Sequence, residues 1–167
     1  MKSLSVCLLG LLVLAGCAGT NVKDKDQTAS ATTGVPKTTA NSSATVDPLA
    51  DTNNILAKRS IYFAFDQSDV KDTDKPLLEA HAKYLSAHTS AKIVLQGNTD
   101  ERGSSEYNLA LGNRRAENTK KVLAVLGVSS KQIDVVSFGK EKPASLCHEE
   151  SCWAENRRAD IVYSSVN

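Results

Sequence analysis

The chain has 167 residues, with 20 Lys and Arg set against 19 Asp and Glu for a formal net charge of +1. That balance excludes capture of nucleic acid or of a membrane surface by bulk charge, so partners must be chosen by a site. Aromatic residues make up 5% of the chain and none falls between Ala18 and Asn54, so the part able to build a core begins after that stretch.

In chain order, Met1-Lys2 precedes an apolar run from Leu4 to Gly16. A bilayer takes about 20 apolar residues to cross, so this shorter run reads as a secretory signal. Its end, Leu14-Ala15-Gly16-Cys17, resembles a bacterial lipobox, in which the signal (residues 1–16) is removed and Cys17 becomes the lipidated N-terminus. Stable anchoring needs two or more acyl chains, so lipidated Cys17 implies a peripheral, anchored protein. Ala18 is not the Asp of an inner-membrane retention signal, and the outer membrane is therefore favoured. Residues 17–54 are rich in Thr, Ser and Ala, too poor in apolar surface to offset their ordering entropy, and read as a disordered tether. A coil of about 37 residues spans roughly 35 Å and reaches about 120 Å when extended.

From Ile55 to the end at Asn167 the composition becomes globular, at a length that suits one domain with its own core. Ser60 to Phe65 alternates Ile61, Phe63 and Phe65 on one face and predicts a strand. The next segment offers Asp and Thr caps, Pro76 in a first helical turn, and Leu77, Leu78, His81 and Leu85 at helical spacing. His81 and His88 belong to the flank or end of that helix. Ala91 to Gly97 predicts a second strand. After it, Ser104 or Ser105 caps a long helix reaching Leu126, with Leu109, Gly112, Ala116, Thr119, Leu123 and Leu126 as its buried stripe and Gly127 as its stop. Ile133–Gly139 and Ala159–Tyr163 are the third and fourth strands. The β-α-β-α-β-β order, with right-handed crossovers, predicts an α/β (α+β) two-layer sandwich: a mixed sheet with helices on one face.

Cys7 leaves with the signal and Cys17 carries lipid, so Cys147 and Cys152 remain as a pair around His148-Glu149-Glu150-Ser151. In an oxidising envelope these two read as a structural disulfide. The alternatives are a metal site using Cys147, His148 and Cys152, or a redox pair, although the spacing fits neither a C-x-x-C motif nor a zinc knuckle.

Polar residues collect where elements end: Asp66 after the first strand, Thr99 and Asp100 after the second, and Asn108, Arg114 and Arg115 in the opening turns of the long helix. Ligands of open α/β sheets bind at the carboxyl ends of strands. A pocket with one carboxylate and one guanidinium is complementary to a zwitterion, Asp100 receiving an ammonium and Arg115 gripping a carboxylate. The bland possibility is that Asp100 and Arg115 pair with each other, or that the arginines are merely solvated.

The stretches FAFDQSDV, GNTDERGSSEYNLALGNRRAENTKKVL, VSFGKEKP and NRRADIVY resemble the OmpA-like peptidoglycan-binding domain, and lipobox plus tether resembles the lipoprotein members of that family. The resemblance covers the folded region nearly end to end. It implies a non-enzymatic wall tether whose ligand is the diaminopimelate of the peptidoglycan stem peptide, held by Asp66, Thr99, Asp100, Asn108 and Arg115. It also implies TolB and other Tol-Pal components as partners, roles in envelope integrity and cell division, and neither metal nor cofactor beyond the lipid on Cys17. Two departures stand out: Asn98 where many relatives have His, and the cysteine pair, which sits near Arg157 and Arg158 where it can stiffen one wall of the site or of the partner surface. Competing readings are a wall-binding lipoprotein outside Tol-Pal, and an envelope enzyme using Cys147, His148 and Cys152. The latter lacks an evident base and orienter around a nucleophile.

Overall fold

The computed structural model describes residues 47–164. The signal, Cys17 and the tether up to residue 46 lie outside the described residues. Residues 47–54, which composition assigns to the tether, form turns joined to the domain, the Arg59 guanidinium donating to the Leu49 carbonyl at 3.0 Å.

Four strands and three helices follow: β1 (Ser60–Tyr62), α1 (Lys75–Ala87), β2 (Ile93–Asn98), α2 (Ser105–Val125), β3 (Ile133–Gly139), α3 (Glu150–Asn156) and β4 (Arg158–Tyr163). The sheet order is β1-β4-β2-β3. Strand β4 runs antiparallel to both neighbours, while β2 and β3 are parallel. The last strand is therefore inserted between the first two, and the sheet is mixed.

Register places Ile61, Ala159 and Gly97 in one row across the sheet and Ile161, Leu95 and Val135 in the next. These residues share the face that meets Leu78, Ala82 and Leu85 of α1 and Ala116 and Leu123 of α2, forming the core. The other face carries Ser60, Tyr62, Gln96, Asp160 and Val162. Among the described residues no helix is long and apolar enough to cross a membrane.

Several local expectations shift. The first strand stops at Tyr62, and Phe65 is 58% exposed instead of sharing the buried face of Ile61 and Phe63. The chain turns sharply there because Asp66 adopts φ +56°, a left-handed conformation that Asp tolerates better than most residues. Asp74 precedes α1 but makes no side-chain cap bond, because a 3₁₀ turn at Asp72–Asp74 runs straight into the helix. His81 is not at a flank; it is fully buried. Helix α2 starts as its sequence directs, the Ser104 hydroxyl accepting from the Tyr107 N–H at 3.2 Å, and Gly127 follows it with φ +94°. The third helix has no counterpart in the predicted elements. Seven residues are too few to show helical periodicity, and these roughly two turns are held by their flanks. Cys147 and Cys152 are disulfide-bonded across its N-terminus, their Cα atoms 5.6 Å apart.

Candidate functional site

A cavity of about 220 Å³ opens where β1 and β2 end and α2 begins. The loop after β1 contributes Phe65 and Asp66. The loop after β2 contributes Thr99, Asp100, Arg102 and Gly103, and α2 contributes Tyr107, Asn108, Leu111 and Arg115. All five residues that the resemblance assigns to the ligand thus line one cavity, joined by five that sequence reasoning left out; Arg114, grouped with them in the sequence, is not in the lining and lies over the Tyr107 ring, 5.9 Å from its centroid.

Helix α2 can lie against β2 closely enough to build this corner because both surfaces carry glycine. A Cβ on Gly97 would sit 1.8 Å from the Gly112 carbonyl oxygen. Ser137 of β3 fixes the same crossing by donating its hydroxyl to the Leu109 carbonyl at 2.7 Å.

Arg115 is fully buried. Its Nε donates to the Gln67 carbonyl at 2.8 Å, Nη1 to Asn98 at 2.8 Å and Nη2 to Ala64 at 3.2 Å. Three of five N–H groups are thereby spent on the loop after β1 and the end of β2, leaving one on each terminal nitrogen. Burial pulls the guanidinium down to about 10, although the Asp100 charge acts the other way, so it remains cationic at neutral pH.

Asp100 is 4% exposed. It pairs not with Arg115 but with two other arginines. One oxygen accepts the Arg102 backbone N–H at 3.1 Å and Arg102 Nε at 3.3 Å. The other accepts Arg102 Nη2 at 2.7 Å and Arg157 Nη1 at 3.3 Å. Burial pushes this carboxyl up, but hydrogen bonds from Arg102 and Arg157, with the charge of Arg102, outweigh it and hold it below the usual value. Asp66 accepts a hydrogen bond from the Tyr107 hydroxyl. Asn108, fully buried, donates to the Arg102 carbonyl at 2.8 Å, and Thr99 donates its hydroxyl to the Asp100 carbonyl at 3.0 Å. These two residues shape the loop that carries Asp100.

Arg102 is the residue whose importance the sequence hid. Its guanidinium carbon lies 4.2 Å from the Phe65 ring centroid and 4.1 Å from that of Trp153, a cation between two aromatic faces. Trp153 belongs to α3, and its indole N–H donates to Glu101 at 2.8 Å. Asn98 points its side chain away from the cavity, donating to Gln96 and to Asp160 of β4 at 3.0 and 3.2 Å. Asn98 therefore falls outside the cavity wall.

A mixed four-stranded sheet with helices on one face and a cavity at its strand ends lined by charges of both signs defines the class: an α/β domain that presents a recessed polar site. The chain belongs to the OmpA family, whose model matches residues 62–160. Over 104 residues it is 48% identical to the peptidoglycan-associated lipoprotein of Haemophilus influenzae, spanning 62% of this chain and 68% of that one. With the peptidoglycan-associated lipoprotein of Pseudomonas aeruginosa it shares 43% identity over 122 residues, 73% of this chain and 72% of the relative. The crystal structure of the peptidoglycan-associated lipoprotein from Burkholderia pseudomallei superposes with a TM-score of 0.70 at 57% identity, covering 71% of this chain and all of that one.

Proposed function

We propose that this protein is a non-enzymatic outer-membrane lipoprotein, anchored through lipid on Cys17, that binds the diaminopimelate of peptidoglycan in the cavity between Asp100 and Arg115. The observation that carries the reading is the meeting, in one recessed space, of a buried carboxylate and a buried guanidinium with free N–H donors. That pair is complementary to the zwitterionic end of diaminopimelate, and the names of the relatives agree with a wall ligand. In this reading the tether lets the domain reach the wall, and the partners are TolB and other Tol-Pal components, with roles in envelope integrity and division.

The acceptor positions of Asp100 are already filled, so an incoming ammonium must exchange with one cation. Arg157 is enclosed, its side chain 6% exposed, whereas that of Arg102 is 33% exposed. Arg102 is the one that yields. The swap keeps one ammonium or guanidinium on the carboxylate throughout, so no buried charge is left bare.

Sedimentation of the detergent-solubilised full chain with intact sacculi tests the proposal. Asp100→Ala should cost about 2 kcal/mol or more, roughly a thirtyfold loss of affinity. Undiminished pelleting of a folded Asp100→Ala chain would overturn the site. Co-purification with TolB separates membership of Tol-Pal from a wall-binding lipoprotein outside it.

A further inference from the structure

We infer that α3, closed by the Cys147–Cys152 disulfide, is a positioning element of this site: it holds the Asp100 loop in place and receives Arg102 when a ligand cation takes Asp100. The inference rests on the function proposed above and extends it to residues outside the cavity lining.

Three consecutive loop residues are gripped from this side. Glu101 accepts from the Trp153 indole and from His148 Nδ1, each at 2.8 Å. Arg102 lies under the Trp153 ring and 3.7 Å from the Glu150 carboxylate. Asp100 is reached through Arg157, directly after α3, which also bonds Glu150 and donates to the Phe63 carbonyl at 3.2 Å. The loop has no regular structure of its own; Asn108 and Lys140 bond its backbone carbonyls at Arg102 and Gly103, while the contacts from α3 hold its charged side chains. A short helix is marginal without tertiary support. The disulfide bridges His148, Glu149, Glu150 and Ser151, closing the segment that supplies two of the gripping side chains.

The same contacts give displaced Arg102 a destination. Moving off Asp100, it keeps both aromatic faces and finds the Glu150 carboxylate within reach of a small pivot. A guanidinium that stays paired and stacked costs less to displace than one expelled into the cavity. Trp153 and Glu150 therefore act through Arg102 and not on the ligand, and removing either raises the cost of the exchange.

Trp153 is the sole tryptophan of the chain, so its fluorescence reports the stack directly. The full-length chain in detergent is titrated with a soluble muropeptide whose stem ends in diaminopimelate. Trp153 emission should shift with the same midpoint as binding. Trp153→Leu and Glu150→Gln should each weaken binding about fivefold, the size of one lost cation–π or surface-pair contribution, while Trp153→Phe, which keeps the stack on Arg102 but loses the bond to Glu101, should weaken it by less than Trp153→Leu. Cys147→Ser/Cys152→Ser should fall with the first two. So should dithiothreitol treatment, in which the dithiol gives two electrons and two protons to the disulfide and becomes its own cyclic disulfide. Thermal melting of each variant separates unfolding from lost positioning. If the wild type and an Asp100→Ala control behave as proposed, but emission stays constant at saturation and the α3 variants bind normally, this inference alone fails. A wild type that does not bind overturns both.

Discussion

At the scale of single residues, Arg115 is held by the protein as firmly as it is offered to a ligand. Its three carbonyl partners lie on two loops, Ala64 and Gln67 on one and Asn98 at the end of β2. Removing it strips all three at once, and a buried acceptor left bare costs about 1–3 kcal/mol. We expect Arg115→Ala to lower unfolding stability by about 3 kcal/mol or more and Arg115→Lys by about 2 kcal/mol, because one ammonium cannot reproduce a planar fork. Urea midpoints check this, and they decide whether lost wall binding in an Arg115 variant reports the site or the fold. Asp66 is the second residue whose backbone matters. Asp66→Ala should cost about 1–2 kcal/mol through its left-handed φ, whereas Asp66→Asn should be nearly neutral. The identities of the charged residues were legible in the sequence, but their partners were not. Asp100 meets Arg157 across 57 positions and Arg102 across two, and neither separation marks a contact until loop and helix fold back together.

Among the elements, α2 shows why counting apolar residues misplaces a buried face. Leu109 and Leu126, counted in the stripe, are 52% and 37% exposed, while Asn108, Leu111 and Arg115 are buried in their stead. The true face is rotated toward the cavity, where polar side chains are buried for the site and carry no hydrophobic signal. Gly112, Ala116, Thr119 and Leu123 lie where both stripes overlap and were placed correctly. The glycine contact makes this element's prediction sharp. A methyl on Gly97 collides with the backbone of Gly112, which cannot rotate away as a side chain can. Gly97→Ala should destabilise by about 3 kcal/mol, the upper range for overpacking, and Leu109→Ser by less than about 0.5 kcal/mol. Equal losses in chemical denaturation would show that α2 is not seated on β2 in this way.

For the whole molecule, sequence periodicity told each strand's existence but not its neighbours. Nothing in the order of elements says that β4 enters between β1 and β2 in place of extending the edge. What the insertion achieves is visible at His81, where the lead-in to β1, helix α1 and the end of β4 converge. The Lys58 carbonyl, 2.9 Å from Nε2, can only accept, so Nε2 carries the proton and Nδ1 accepts from the Tyr163 hydroxyl at 2.9 Å. Burial, reinforced by the Arg59 charge, lowers the His81 value below 6.5, although the bond to Lys58 opposes it. The folded state therefore takes up a proton less readily than the unfolded chain, and stability is lost as pH falls below about 6.5. The loss stops once pH drops past the folded-state value, where both states carry the proton. Urea midpoints between pH 7.5 and 5.5 should fall for the wild type and flatten for His81→Gln, which keeps a donor without a titrating ring. A wild-type midpoint that holds steady across that window would show that His81 does not couple protonation to the joining of these three segments.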